Sequence, residues 1–457
     1  MKLRSYQKKM IDDTRSMFIR GLKSVLMQLC TGGGKTFIAG NIIKPTVDNG
    51  KAAFFIVHRK ELIIQSVAAF EKMGIETGVI SAGFKPNKNA PLQVCSIQSL
   101  RKRKDTNIVP DITIWDEAHI LAAKCNREVF SHYDKSRKIL LTATPIRLDG
   151  QGLDEFAQAM VQGPTMRELI DMGNLSEYRA FAPTQLSMQN VGIQMGDFKK
   201  KESAEVVDKP TITGSAIKEF KKLCPDGRAI VFAITIEHSE NIAQQFNDAG
   251  IPAKHVDGNT NKKEREQAIE DLRSGKIQVI SNVGLFAEGL DVPALDALIM
   301  LRPTTSLGMY LQMVGRALRT APGKECAYIL DHVGNIQRHG MPCDHRPWTL
   351  RGREKGTRSE KDGIAVKVCT KCFAVQPPGK PSCIYCGGEY VITQREIDER
   401  EGELVELKKK EEKERKLKEK KEKGMARTLE DLEELGKSRG YKHWEAWASH
   451  VYNNRRR

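Results

Sequence analysis

No stretch of the chain approaches the roughly 18 consecutive apolar residues of a membrane-spanning helix, and its start, Met1-Lys-Leu-Arg-Ser-Tyr-Gln7, lacks the apolar core of a secretory signal. No membrane span or signal peptide is therefore expected, and the cytoplasm is the expected compartment. A disulfide scaffold is excluded as well. Ten cysteines in 457 residues are too few for one, and Cys30, Cys95, Cys125, Cys224, Cys326 and Cys343 are scattered singly, as reduced thiols are. Acidic residues are in deficit: 74 Lys and Arg stand against 58 Asp and Glu, a net charge of +16. The surplus is general, since residues 331–457 hold only 29 of those Lys and Arg, against 22 Asp and Glu. A chain so charged is suited to a polyanionic partner.

What is present is an alternation of apolar runs with amphipathic segments, the pattern of parallel sheets wrapped by helices, in a chain long enough for two or three domains. In a first block, strands are expected at Ser24–Leu29, Ala52–Val57, Gln93–Ser96, Ile112–Trp115 and Lys138–Leu141, with a helix at Glu61–Met73. In a second, they are expected at Ala229–Ala233, Ala253–Val256, Ile277–Ser281, Ala297–Leu301 and Ala327–Leu330. Leu148–Gly214 is less regular and reads as a connector with a loop near Lys199–Lys201. The domain plan is 1–160 and 161–335 for the two α/β units, 336–362 for a basic linker and 363–392 for a cysteine unit. A Glu/Lys-rich helix over 393–424 and a small helical unit over 425–457, basic and aromatic, complete it.

Each motif follows one of these strands. Thr31-Gly-Gly-Gly-Lys-Thr36 stands at a strand-to-helix turn. There, the amides of Thr31, Gly32, Gly33 and Gly34 and the Lys35 ammonium suit phosphates, and the Thr36 hydroxyl suits Mg2+. Leu29 stands in the place of the first glycine of the general pattern, with Cys30 after it; neither removes a phosphate-binding group. Asp116 and Glu117 end the strand before Ala118-His119, the Asp suited to holding Mg2+ through water and the Glu to orienting and deprotonating an attacking water. Thr142 and Thr144, on the next strand end, are placed to sense a γ-phosphate, with His119 a third coupling residue. Gln312, Arg316 and Arg319 follow about 280 residues after the phosphate loop, spaced for one face of a helix. Two arginines on a second domain suit neutralisation of charge on a phosphoryl group held by the first. Gly289 and Asp291 close a loop toward the ribose or an arginine, and Gln7, with Arg4 beside it, offers an amide to an adenine edge.

In this order and spacing the motifs resemble superfamily 2 helicases of the DEAH-box type, over about residues 1–335. Leu3-Arg-Ser-Tyr-Gln7, Val57-His-Arg-Lys-Glu61, Val94-Cys-Ser-Ile-Gln-Ser99 and the four-cysteine tail are most similar to the RadD-like branch of bacteria and their phages. The resemblance implies two tandem RecA-like domains and an ATP- and Mg2+-dependent DNA helicase or translocase serving repair, recombination or replication restart. It implies a nucleic-acid groove lined by Arg59, Gln98, Ser99, Thr235, Gly258 and Thr260, reading backbone rather than sequence. Single-strand-binding, repair or replication proteins are the implied partners, and a bacterial or phage-infected cytoplasm the implied setting. An RNA helicase and a nucleic-acid-binding ATPase switch stay open, since the motor motifs do not read the sugar. No metal-nuclease constellation is found in the sequence, so a restriction nuclease would need a separate partner.

Cys369-Thr-Lys-Cys372 and Cys383-Ile-Tyr-Cys386 form two knuckles whose separation suits four thiolates around one structural Zn2+. Lys367, Lys371 and Lys380 around them favour contact with DNA. His332, His339 and His345 near Cys343 are spaced too irregularly for a second metal site. Glu396–Lys423 reads as a solvated helix supported by i,i+4 pairs. In the last unit, Tyr441, Trp444 and Trp447 stand beside basic residues, and Trp444 is expected to pack a small core rather than stack on a base.

Overall fold

The structure is a computed structural model that describes residues 2–102, 108–147, 150–182, 188, 190–194, 196–285, 295–352, 366–390, 426, 428–438 and 443–454. Apolar strands with helical crossovers build two sheets, each wholly parallel. The first holds β1 (Ser24–Gln28), β2 (Ala53–Val57), β3 (Thr77–Ile80), β4 (Leu92–Ser96), β5 (Ile112–Trp115), β6 (Arg137–Thr142) and β7 (Ala159–Gln162) in the order β3-β4-β2-β5-β6-β1-β7. Helices α1 (Ser5–Ile19), α2 (Lys35–Asp48), α3 (Lys60–Lys72), α4 (Ile97–Lys102) and α5 (Lys124–His132) accompany it. The second holds β8 (Glu177–Phe181), β11 (Ala229–Phe232), β12 (Ala253–Val256), β13 (Val279–Asn282), β14 (Ala297–Met300) and β15 (Cys326–Asp331), in the order β12-β13-β11-β14-β15-β8. Strands β9 (Ile193–Gln194) and β10 (Asp197–Phe198) form a small separate hairpin. The accompanying helices are α6 (Met166–Asp171), α7 (Lys200–Val207), α8 (Pro210–Leu223), α9 (Ile236–Asp248), α10 (Lys262–Ser274), α11 (Leu307–Ala317) and α12 (Asn335–His339). These are two RecA-like α/β domains. Strands β1, β2, β4, β5, β11, β13 and β14 are buried along their whole length, covered on both faces by helices, which is why they read as near-continuous apolar runs.

Local signals place the helices. Asn261 accepts from the Glu264 amide to open α10, and Gly275, at φ 79°, ends it. Pro210 opens α8, where its missing N–H costs nothing. Thr165 and Glu168 form a reciprocal capping box at α6.

Several expectations change here. The connector over 148–214 is not irregular: β7 completes the first sheet and β8 the edge of the second. Both are partly exposed edge strands with mixed side chains, so they lack the apolar run that marks a central strand. The boundary expected after residue 160 therefore falls within β7. Lys199–Lys201 is no loop, because Lys199 caps α7 and its ammonium pairs with Glu202 at 2.7 Å. The basic linker is packed over its described part: the Leu350 carbonyl accepts from the Leu153 and Asp154 amides at 2.7 and 3.0 Å, and Trp348 O accepts from Gln162 at 3.3 Å. Gly152 must be glycine there, since a Cβ would lie 1.8 Å from Leu350 O. The helix expected over Glu396–Lys423, and Tyr441, lie outside the described residues.

The C-terminal residues form a compact unit of their own, with helices Leu429–Ser438 and Trp444–Asn454 packed through Leu432, Ala448 and Trp447. Trp444 lies against Gly436, where a Cβ would come within 2.9 Å, and Lys437 sits 4.0 Å from the Trp444 ring.

His332, just after β15, is wholly buried, and neither ring nitrogen has a hydrogen-bond partner among the described residues. Burial pulls its pKa from 6.5 down to about 4. The unfolded chain therefore takes up a proton below pH 6.5 that the folded chain refuses until about pH 4. Stability contributed by the neutral ring is intact above that window and falls by about 3 kcal/mol across it. A His332→Leu variant is expected to lose less stability than the parent between those limits, measured as denaturant midpoints at stepped pH. Equal slopes for the two proteins would show that the ring is not the acid-sensitive group.

Candidate ATP site and nucleic-acid groove

The phosphate loop runs from the end of β1 into α2. Gly32 and Gly34 adopt φ of 87° and 89°, conformations that L side chains rarely take and that turn successive amides into one concavity. Helix α1 clamps this loop from outside, with Tyr6 Oη donating to Gly33 O at 2.8 Å and Gln7 Nε2 to the same oxygen at 3.2 Å. Gln7 Oε1 accepts from the Arg4 amide at 3.0 Å, and the Arg4 guanidinium reaches Tyr6 Oη at 3.1 Å. One donor and one acceptor of the Gln7 amide are thus committed to the protein, which an amide with two of each allows. Tyr6 was not among the expected site residues, though it stands inside the motif. Among the described residues, Thr31 Oγ1 is buried without a hydrogen-bond partner, and Lys35 Nζ reaches Leu29 O at 3.4 Å and Glu117 at 3.9 Å. A cradle of amides, an orphan hydroxyl and a lysine poised above it fit a nucleotide's phosphates. Thr36, in the first turn of α2, and Asp116 are the groups suited to Mg2+.

Asp116 and Glu117 sit at the carboxyl end of β5. Burial pushes both carboxyls up; for Asp116 the Glu117 charge adds to this and takes it to about 6, whereas Lys35 and His119 outweigh burial at Glu117 and hold it at about 2. Glu117 has φ 50°, a left-handed backbone that costs a non-glycine residue free energy and aims its side chain into the cleft. His119 Nδ1 lies 3.5 Å from its carboxylate. Thr142 Oγ1 donates to Thr144 O at 3.0 Å and accepts from its amide at 3.2 Å. Gln28 Nε2, at the end of β1, donates to Ala143 O at 3.0 Å and so ties this turn to the base of the phosphate loop. Nothing in its one-residue context signalled that link.

Helix α11 of the second domain lies across these groups. Gln312 Nε2 donates to Glu117 Oε2 at 3.3 Å. A Cβ on Gly315 would lie 2.5 Å from Thr31 Cβ, and one on Gly308 would lie 2.9 Å from Thr144 Oγ1, so both glycines permit close approach. Residues 308, 312 and 315 make one face of the helix. The helix ends at Ala317, and Arg319 follows the cap residue Leu318, so the one-face argument holds for Gln312 and Arg316 but not for Arg319. Gly289 and Asp291 lie outside the described residues.

The expected groove residues cluster at the carboxyl ends of both sheets. Arg59 caps α3, and its guanidinium donates to Gly284 O of the second domain at 3.3 Å. Gln98 is exposed and bonded to His58 O at 2.8 Å, with Ser99 beside it. Thr235 caps α9, Gly258 faces open space, and Thr260 Oγ1 donates to Asp257 at 2.9 Å. Two residues missed from the sequence join the rims: Arg265 pairs with Glu61 at 2.8 Å across the domains and donates to Thr260 O at 3.0 Å.

The four ribbon cysteines converge. Cys369 and Cys386 Sγ lie 3.6 Å apart, as do Cys372 and Cys383, and all four lie within 4.8 Å of one another. A Zn–S bond of about 2.3 Å gives a tetrahedron with edges of about 3.8 Å, so the donor set fits zinc. Each knuckle closes on a left-handed residue, Phe373 at φ 60° and Gly387 at φ 67°, whose amides donate to Cys369 O and Cys383 O at 2.8 and 2.9 Å. The ribbon strands β16 (Lys367–Val368) and β17 (Val375–Gln376) cover the β8 edge, where the Ala182 amide donates to Phe373 O at 2.9 Å. His339 is no metal ligand: its ring stacks on Tyr310, and its Nε2 lies 2.9 Å from Thr304 O.

The family model for the type III restriction enzyme res subunit matches residues 1–147, and that for the helicase conserved C-terminal domain matches residues 215–321. A 51.5 kDa protein of Lactococcus phage (isolate 7-9) is 32% identical over 84% of this chain and 83% of its own length. The chain is a superfamily 2 helicase. A putative ATP-dependent helicase of Saccharomyces cerevisiae is 29% identical to this helicase over 73% of the chain, which spans only 51% of that yeast protein. Among solved structures, a putative HsdR fragment of a type I restriction enzyme from Vibrio vulnificus superimposes on the helicase over 74% of its chain and 66% of the fragment, with TM-score 0.59 and 21% identity. A DNA-bound type ISP restriction-modification enzyme does so over 72% of the chain, but 27% of its own, with TM-score 0.58 and 20% identity. At these identities the likeness is one of fold. The helicase is an ATP-hydrolysing enzyme, and no helix among its described residues is long and apolar enough to cross a membrane.

Proposed function

We propose that this helicase is a DNA translocase of the DEAH-box type, nearest the RadD-like branch, that remodels DNA in repair, recombination or replication restart. The observation that carries the reading is α11 seated across the cleft, with Gln312 on Glu117 and Gly315 against Thr31. A nucleotide held by the first domain is thereby within reach of groups carried by the second. In this reading Gly32, Gly33, Gly34 and Lys35 bind the phosphates, and Thr36 and Asp116 would hold Mg2+, which would supply neutralisation of phosphate charge. Glu117 orients the attacking water, and Arg316 and Arg319 neutralise charge on the transferred group. Gln7 and Arg4 position the loop and face the base. His119, Thr142 and Thr144 couple the nucleotide to the groove of Arg59, Gln98, Ser99, Thr235, Gly258 and Thr260. Closure of the cleft pulls the two rims together, and hydrolysis releases them, so the groove steps along a strand. The net charge of +16 suits either polyanion, and DNA is favoured over RNA by the DNA-bound restriction enzyme of like fold. A zinc ion in the ribbon is structural, since four thiolates leave no open position.

Steady-state ATP hydrolysis tests this reading: the purified protein alone, then with single-stranded, duplex, forked or branched DNA and with RNA, and Lys35→Ala as control. Turnover is expected to rise at least about tenfold with one DNA structure and to fall as salt rises. Stronger stimulation by RNA moves the assignment to RNA. A Lys35-dependent rate that no nucleic acid changes sinks the translocase reading in favour of a switch.

A further inference from the structure

Every helix leaves its last carbonyls without an intrahelical donor, and a helix that carries a catalytic arginine at its end must have them held. At the C-terminus of α11 the donors are identifiable. The half-buried ammonium of Lys324 donates to Ala317 O and, at 2.9 Å, to Arg319 O. The carbonyl between them, Leu318 O, accepts from the Ser176 amide at 2.8 Å, just before the edge strand β8. Three successive carbonyls around Arg319 are thus pinned from two directions, and one lysine makes two of the three bonds. The charge suits the place, since a cation at a helix C-terminus is favoured by the helix dipole and its bonds to carbonyls are charge-assisted. We infer that Lys324 is a positioning residue for hydrolysis: it holds the backbone of Arg319, and through it the end of α11, in register with the phosphate loop. The inference rests on the reading of Arg316 and Arg319 as the groups that neutralise the transferred phosphoryl charge.

Lys324 belongs to no nucleotide-binding motif and lies in the turn between α11 and β15. The groups around it come from four elements. Asp296 precedes β14, and Arg228, bonded to Asp296 at 2.9 Å through its amide, precedes β11. Cys326 opens β15, and Cys224 ends α8. Burial, more than the attraction of Asp296, sets the ammonium's affinity for its proton, and the pKa falls to about 8. Above that pH the neutral amine keeps N–H groups but loses the charge that strengthens both bonds. Hydrolysis should therefore carry an alkaline limb that originates at Lys324 and not at the nucleotide.

The test uses the full chain with the nucleic acid that stimulates turnover most, and compares Lys324→Met, Lys324→Arg and Arg319→Ala. Lys324→Met is expected to lower kcat roughly tenfold, as a misplaced finger does, while KM for ATP and the affinity for a fluorescent ATP analogue stay within about twofold of the parent, because the phosphate loop is untouched. The parent's kcat is expected to fall with an apparent pKa of about 8. Lys324→Arg, charged to about pH 12 or beyond, should keep most of the activity and lose that limb. Parallel loss of kcat and nucleotide affinity in Lys324→Met overturns the positioning role in favour of a general structural one. So does a Lys324→Met variant with parental kcat, or an unchanged alkaline limb in Lys324→Arg. If Arg319→Ala keeps parental kcat, the finger reading itself fails; if it abolishes turnover while Lys324→Met does not, only the inference about Lys324 fails.

Discussion

A Glu117→Gln variant is expected to hydrolyse ATP about a thousandfold more slowly than the parent while binding it at least as tightly. The carboxylate is the meeting point of the cleft: Lys35 lies 3.9 Å from it, His119 3.5 Å and the Gln312 amide of the other domain 3.3 Å. Lys35 and His119 overcome the cost of burial and keep it ionised. An amide of the same shape still accepts the bond from Gln312, so the fold and the domain contact should survive. It cannot accept a proton from water, and it no longer draws the Lys35 ammonium away from incoming phosphates. Single-turnover hydrolysis and nucleotide trapping measure the two consequences separately. A variant that turns over within about tenfold of the parent would remove Glu117 from the reaction, and one that also loses ATP would show that the site had collapsed.

The second large effect is expected at the ribbon. Replacing Cys372 and Cys383 together with serine takes one thiolate from each knuckle, and metal content should fall from about one zinc per chain to none. A structural zinc contributes about 10–16 kcal/mol in small domains at neutral pH, far more than two short strands and their turns recover by packing. The ribbon should therefore unfold locally, exposing the β8 edge that it covers at Ala182. Limited proteolysis between residues 366 and 390 would report this, and metal analysis would report the zinc. The Sγ separations of 3.6 Å are too long for disulfides and right for a shared metal. Parent protein that is free of zinc after expression in metal-replete medium, or a double variant that keeps it, would refute the assignment.

The elements most legible in the sequence were those whose signal is local. Central strands such as β2 and β14 are buried on both faces and must be apolar throughout, and the phosphate loop must contain glycine where the backbone turns left-handed. The cysteine knuckles announce themselves by spacing, because a tetrahedron of thiolates leaves little freedom in how a short turn presents them. Strands β3, β7 and β8 were missed because their short, partly buried segments carry mixed side chains and no apolar run. The described part of the expected linker looked basic and irregular, yet its backbone carbonyls at Trp348 and Leu350 are bonded into the first domain.

What the sequence determined alone is the chemistry: which residues can cradle phosphates, carry negative charge to a metal, or bind zinc, since that depends on residue type and short spacing. Only the tertiary structure decided which of them meet. Gln312 reaches Glu117, Arg265 reaches Glu61, and Gly315 reaches Thr31 across gaps of about two hundred residues or more. Arg319 stands beyond the end of its helix, where Lys324 and Ser176 hold the carbonyls of Ala317, Leu318 and Arg319. Contacts between domains are set by the packing of whole sheets and helices, and no window of sequence contains the information that brings their ends together.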